Sequence, residues 1–409
     1  VGASEPLAGA GILEDIPGPF GLLLWQASRD AALWAATTDE QRVGLFTEDA
    51  EPRRLADLLS IGPAADRIEE PLRALARMLS HAPDTAPEVV TLACERVSRW
   101  AEKRELLSTA LAFSQAAAVA TPASGRLALR VGRLARQLGE YVRAEAWLQR
   151  AIILARQQQD RNSHAFAYAA LGNLYRLRGN LPNAERHHLR ALRLATRFSL
   201  RAREAAALHD LFVVCMETNR AREAVEYAGR ALALGAYGRN SNRLPSLAND
   251  IAVFWVEQGD FARALPVLRA VWPHMDPVAR PLGTANIARA AGALGERDIF
   301  DRYWERTLEL MDSTEGCENH PTALLNLARG AASLSDWDRA EHAGLQARDL
   351  AGRLSEHKVS FEAENLLQAI QSERAAASAQ IAPRQANINH DSAADELALE
   401  LTTCLSGVA

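Results

Sequence analysis

Few residues in this chain are spaced to do chemistry. Cys317-Glu318-Asn319-His320 puts a thiol, a carboxylate and an imidazole within four residues, but a structural zinc site needs about four ligands, so an ordinary loop is expected. His187 and His188 are neighbours on a predicted helix, where adjacent side chains point in different directions and cannot readily grip one ion. Packing or surface roles are expected for both. No phosphate-binding loop, dinucleotide glycine fingerprint, His-Glu-x-x-His helix or Gly-x-Ser-x-Gly elbow occurs. The reading is therefore no enzyme, no metal and no cofactor. The basic residues stand out instead: of 46, only Lys103 and Lys358 are lysines. Biased codon usage is the plain explanation, since arginine and lysine differ only where paired donors or stacking matter.

Composition places these residues in a globular protein, with 48% hydrophobic and 24% charged residues. The longest apolar runs, such as Phe20 to Trp25, fall well short of the roughly 20 residues a membrane helix needs. No basic, apolar and cleavage-site succession opens the chain, so neither a secretory signal nor membrane insertion is expected. Cys94, Cys215, Cys317 and Cys404 are scattered without paired spacing, which suits a reducing compartment and gives the cytoplasm as the expected location. A formal charge of -5 counts against bulk nucleic-acid binding.

The elements that must position the arginines repeat. An alanine returns at Ala110, Ala144, Ala184, Ala224, Ala264 and Ala340, in steps of 34, 40, 40, 40 and 76, the last dividing into 36 and 40 if Phe300 takes the alanine's place. A period of this size means stacked helical hairpins. Before them, residues 1–86 read as a helical N-terminal cap. Pro17 and Pro19 break any earlier helix, Leu23, Ala27, Ala31 and Trp34 then share one face, and Leu72, Leu75 and Leu79 share another after Pro71. Residues 87–352 are the repeat array, and 353–380 a closing helix with Val359, Leu366, Leu367 and Ile370 as its apolar face. Residues 381–409 are polar, small and acidic, and are expected to be disordered when unbound.

One repeat reads Leu171-Gly172-Asn173-Leu174-Tyr175-Arg176-Leu177-Arg178-Gly179-Asn180-Leu181-Pro182-Asn183-Ala184, with Ala191 seven residues on. It resembles a tetratricopeptide repeat. That pattern wants a small residue where helices A and B cross, supplied here by Gly132, Gly172, Ala252, Ala288 and Ala328. It wants a turn glycine (Gly139, Gly179, Gly259, Gly295) and a large residue after it (Tyr141, Leu181, Phe261, Trp337). Two alanines seven apart in helix B complete it, as in Ala144 with Ala151, Ala224 with Ala231 and Ala340 with Ala347. Phe212 in a small position, Asn219 at a turn and Phe300 at an alanine position depart from it, and those hairpins are expected to pack less regularly. About six residues beyond the usual repeat must lengthen helices or loops, Gly238 to Pro245 being one such loop. The resemblance covers roughly two-thirds of the chain and implies an all-α, right-handed superhelical solenoid of antiparallel helix pairs.

The resemblance also implies that helix A lines a concave groove, with the residue after the small position pointing into it. Here that residue is Arg99, Arg133, Asn173, Val213, Val253, Arg289 and Arg329. Arg126, Arg130, Arg136, Arg176, His209 and Asn249 lie on the same faces. Arginine forks grip carboxylates or phosphates through paired donors. Alternatively these arginines pair with helix A acids such as Glu95 and Asp250, or simply solvate the face. Chaperone-binding relatives clamp a C-terminal carboxylate with lysine, asparagine and arginine. Only Asn173 matches; Ala169, Asp210, Ser246 and Asp250 stand at the other positions, so that specificity is not carried over. Val213, Val253 and Trp255 would suit a ligand with an acidic end and an apolar centre.

The expected function is thus a non-enzymatic adaptor or scaffold that binds a protein or an extended acidic peptide in an arginine-lined groove. The alternative is a peptide-sensing module of a bacterial regulator. The chain's own tail is a candidate occupant, since Asp391, Asp395, Glu396 and Glu400 alternate there with Leu397, Leu399 and Leu401 and no basic residue intervenes from Asp391 onward.

Overall fold

The computed structural model describes residues 11–65, 67–234, 243–312, 319–354, 356–377 and 392–406. Among them every regular element is helical. The chain divides into two compact units, Val1–Val214 and Cys215–Ala409.

In the first unit, α1 (Gly11–Asp15) and α2 (Pro19–Ala36) lead to α3 (Ala50–Ile61) and α4 (Glu69–Ser80). The face expected on α2 is the buried one, Leu23, Ala27, Ala31 and Trp34. Trp34 also donates from its indole Nε1 to the Ala82 carbonyl oxygen at 2.7 Å, and the Arg42 guanidinium sits 3.7 Å above its ring centre. Three of them rest on the first hairpin, α5 (Pro87–Glu102) and α6 (Leu107–Ala120), with α1 and α2 against α6 and α4 against α5, while α3 packs on α2 and α4. Asp15 fixes that docking by accepting from the Thr109 backbone N–H at 2.7 Å and its hydroxyl at 2.8 Å, in the first turn of α6.

Two more hairpins follow, α7 (Gly125–Gln137) with α8 (Tyr141–Gln157) and α9 (Arg161–Leu177) with α10 (Leu181–Arg197). Each helix packs on the next in sequence, as short turns between antiparallel neighbours require. The long period is absorbed by helix length, since α8, α9 and α10 have 17 residues each. Gly139 and Gly179 adopt φ of 75° and 72° in the turns, a region open to glycine at little cost. Gly132 and Gly172 mark the crossings, where an added Cβ would meet Leu148 and the His188 ring. α11 (Arg201–Glu217) contains the division between the units.

The second unit continues with α12 (Ala221–Ala233), α13 (Arg243–Glu257), α14 (Phe261–Val271), α15 (Arg280–Ala293), α16 (Arg297–Asp312), α17 (His320–Ser333) and α18 (Trp337–Arg353). α19 (His357–Ala377) covers α17 and α18, burying Leu367 and Ile370. All seven anchors found in the sequence, the six alanines and Phe300, are fully buried, and each is the fourth residue of its helix.

The departures behave differently from expectation. Phe300 packs fully, because the residue facing it is Gly330, where a Cβ would lie 2.9 Å from the Phe300 ring. Asn219 takes the turn conformation with φ 56°, which its short polar side chain tolerates. Most of the loop expected at Gly238 to Pro245 lies outside the described residues, but Leu244 and Pro245 belong to the first turn of α13. Tyr141, the large residue after the first turn glycine, is exposed. A further difference concerns the tail, where α20 (Ser392–Ser406) forms on residues expected to be disordered. Ala394, Leu397, Ala398, Leu401 and Leu405 are spaced to one face, and that face is buried, with α14 as its main neighbour. Residues 381–391 and 407–409, the rest of that expectation, and 378–380 of the closing helix lie outside the described residues.

Candidate functional site

In the first unit, the arginines at the start of the array are neutralised from within. Arg126 of α7 donates to Glu95 of α5 from both terminal nitrogens, one bond measuring 2.9 Å. Arg99 approaches the same carboxylate at 3.5 Å. Burial alone would raise the Glu95 carboxyl, yet the hydrogen bonds and charge of Arg126, then the charges of Arg99 and Arg130, hold it below the usual range. Arg130 donates to Glu102 at 2.6 Å, and to the Ser98 and Ser114 hydroxyls, both at 3.1 Å. Burial lowers the Arg130 guanidinium, and Glu102 opposes that shift.

One repeat further on, the arrangement changes. Arg133 lies over the Phe166 ring at 5.2 Å, and Arg203 covers the same ring at 3.8 Å. Arg136 is half-buried, and its Nε is buried with no hydrogen-bond partner. Burial lowers its guanidinium, the like charges of Arg133 and Arg176 lower it further, and Asp210 acts in the opposite sense. Asn173, between these helices' crossing glycine and Arg176, is half-buried. Arg133, Arg136 and Arg176 thus form a cationic patch across α7 and α9, with Asp210 of α11 as its acid.

The two histidines are packing residues. His188 is fully buried against Gly172, and its Nδ1 lies 3.4 Å from Asp210. Its ring is held neutral by burial, which outweighs Asp210. His187 stacks on Tyr175 at 5.2 Å and on Tyr168 at 5.9 Å. Among the described residues no group of three or more histidines, cysteines or carboxylates could hold a metal. His320 is buried in α17, and Cys317 lies outside the described residues.

In the second unit, Arg289 donates to Glu257 at 2.6 Å and to Asn326 Oδ1 at 3.1 Å, while Asn326 donates to Asn286 at 2.7 Å. Arg329 donates to Glu362 of α19 at 2.9 Å. Asn249 makes a long 3.4 Å contact to Asp250, leaving its own Oδ1 buried and unpaired. His209, in the first unit, has its ring 6.3 Å from that of Phe212. Trp255 is buried in the core, so it offers a ligand nothing; Val213 and Val253 are half-buried.

Sequence reasoning found Glu95 but missed Glu102, Glu257 and Glu362. A signal was present, since the ion pairs between hairpins separate acid and arginine by 31, 28, 32 and 33 residues. Those are the spacings of facing positions on successive helices A. Phe166 was missed because its role depends on which face of α9 meets Arg133.

No helix among the described residues is long and apolar enough to cross a membrane. Residues 123–197, which are α7 to α10, match the tetratricopeptide repeat family model. No curated protein sequence matches the chain. Among solved structures, a signal transduction ATPase with numerous domains and a tetratricopeptide repeat sensor, from Pyrococcus horikoshii, is similar at 12% identity and TM-score 0.52. The similarity covers 81% of this chain and 50% of that one. BtubC from P. vanneervenii gives 20% identity and TM-score 0.43 over 57% of this chain and 94% of its own. A Rap protein complexed with competence and sporulation factor gives 10% and 0.46 over 87% and 98%. The family model thus identifies the two consecutive hairpins α7 to α10 as tetratricopeptide repeats, and the same anchor position recurs in every hairpin from α6 to α18.

Proposed function

We propose that this protein is a non-enzymatic adaptor that binds an extended polypeptide along helices A, and that the first unit receives an acidic side chain of that ligand at Arg133 and Arg136. The observation that carries this reading is Arg136, whose Nε is buried without a hydrogen-bond partner between two like charges. A ligand carboxylate beside the half-buried Arg136 guanidinium would offset the repulsion from Arg133 and Arg176. Arg99, Arg126, Arg130, Arg289 and Arg329 already hold acids of the chain itself, so they shape these faces rather than select the ligand. Cys94, a buried free thiol pushed up to about 12 by burial, suits work in the reducing cytoplasm.

The test is an array of overlapping acidic peptides probed with the whole chain. Arg136→Gln should weaken the best binder at least tenfold, while Arg329→Gln should leave it within about twofold. Equal losses in both variants, or unchanged binding in Arg136→Gln with its fold intact by circular dichroism, would overturn the assignment.

A further inference from the structure

Charge is distributed unevenly along the first unit. From Arg126 to Arg203 the sequence holds sixteen arginines, no lysine and four acids, a net +12 in a chain whose total is -5. Three of those acids are already used. Glu140 accepts from Arg143 at 2.7 Å, Glu145 from Arg178 at 2.7 Å and from the Tyr175 hydroxyl at 2.6 Å, and Asp160 caps α9 through the Ser163 N–H. The fourth, Glu185, is itself engaged.

The excess concentrates on α10. Arg186, Arg190, Arg193 and Arg197 follow one another at steps of four, three and four residues, which is one face of a helix. All four are exposed, while Ala184, His188, Ala191 and Ala195 are buried on the other side. At 1.5 Å per residue the stripe runs for about 16 Å, a length that four or five phosphates of one strand occupy at about 3.4 Å each. Aromatic rings brace it. Arg190 lies 5.8 Å over Tyr168, and Phe198 carries Arg197 at 5.5 Å and Arg161 at 4.6 Å. A guanidinium held by its face keeps its in-plane N–H donors for phosphate oxygens. The neighbouring His187 registers the field, being kept neutral by burial first and then by Arg190 and Arg186.

We propose that the solvent face of α10 is a sequence-independent binding site for a nucleic-acid backbone, separate from the polypeptide-binding faces of helices A. The choice over an acidic protein rests on what α10 leaves out: no large apolar side chain on it is exposed. Protein interfaces are centred on apolar and aromatic residues, whereas nucleic-acid interfaces are polar and strongly positive. The chain's overall negative charge hides the site, because the acids that outnumber the arginines lie outside residues 126–203.

The experiment measures binding of a fluorescent 20-nucleotide single-stranded DNA to the whole chain by anisotropy, from 50 to 300 mM salt. The quadruple variant Arg186→Gln, Arg190→Gln, Arg193→Gln and Arg197→Gln is compared with a control carrying Arg222→Gln, Arg302→Gln and Arg353→Gln, which also lose exposed arginines. Wild type and control should bind alike, and the quadruple variant should lose at least tenfold in affinity at 50 mM. Its slope of log affinity against log salt should be shallower by about three, at about 0.7 per phosphate contact. Circular dichroism and melting temperature establish that the variants fold. Three results would overturn the proposal: no binding by wild type at 50 mM, an unchanged slope in the quadruple variant, or polyglutamate of equal charge competing as well as the oligonucleotide. The last would make the partner an acidic protein.

Discussion

Glu95 on α5 is held by Arg126 on α7, one repeat away in sequence, through two hydrogen bonds that join the first two hairpins across their helices A. The carboxylate is buried while the guanidinium is half-exposed, so the pair contributes less than a fully buried one and more than a surface one. Glu95→Gln should destabilise the first unit by about 1–2 kcal/mol at pH 7, read from the urea midpoint of tryptophan fluorescence. Because the folded Glu95 carboxyl lies below its ordinary value, its contribution is complete above the unfolded value and is lost as pH falls through the folded one. The gap between wild type and variant should therefore close below about pH 4. A gap that persists at pH 2.5 would mean Glu95 acts by packing.

His187 gives a second loss of stability on acidification, in a higher pH window. Burial, then Arg190, Arg186 and His188, pushes its imidazole from 6.5 to about 4. Unfolded chains bind that proton first as pH falls, so this group takes stability away between about pH 6.5 and 4 and contributes nothing above that window. His187→Phe, which keeps a ring between Tyr168 and Tyr175, should flatten the stability profile across that window. A variant profile parallel to wild type would remove His187 from the account.

Close backbone approach in the second unit separates two glycine substitutions. A Cβ on Gly292 would run into the backbone carbonyl of Gly330, which cannot swing aside, whereas one on Gly352 meets nothing within 4 Å. Gly292→Ala should cost about 1–3 kcal/mol through overpacking. Gly352→Ala should be neutral or stabilise α18 by up to about 1 kcal/mol, since alanine is the better helix former. Thermal melts should fall for Gly292→Ala and hold or rise for Gly352→Ala; matching shifts would contradict the close contact.

α20 holds on through a buried leucine face and through Arg263, which donates to Asp395 at 2.6 Å. Leu401 is fully buried, and Leu401→Ala should remove about 2–5 kcal/mol of that docking. Hydrogen exchange should then quicken in α20 and in α14, and leave α17 unchanged. If exchange in α14 is untouched, α20 does not protect it.

The repeat architecture was legible because its signals are local and recur. Ala144, Ala184 and Ala224 announce the close helix–helix contact by their size alone, and Gly139 and Gly179 announce the turns by the backbone they permit. The arginines were legible as a face and not as a site. Whether Arg289 meets a ligand or Glu257 depends on a neighbour 32 residues away, and no single repeat contains that information. α20 was misread for a related reason. Averaged over residues 381–409 the segment is small and polar, but Leu397, Leu401 and Leu405 form a stripe that only a partner such as α14 makes worth burying. The charge of the whole chain misled in the same way, since averaging -5 over 409 residues conceals the +12 between Arg126 and Arg203.

Phe300 and Gly330 show that the hairpins of the second unit are not interchangeable parts. The large ring sits in one repeat, and the missing Cβ that admits it sits in the next. Duplicating, deleting or reordering the α15–α16 hairpin by itself would set Phe300 against a neighbour without that vacancy, or leave Gly330 facing an empty hole. Recombination can move this pair only as a block, so the natural cutting points for shuffling repeats lie on either side of α15 to α18 and not within it.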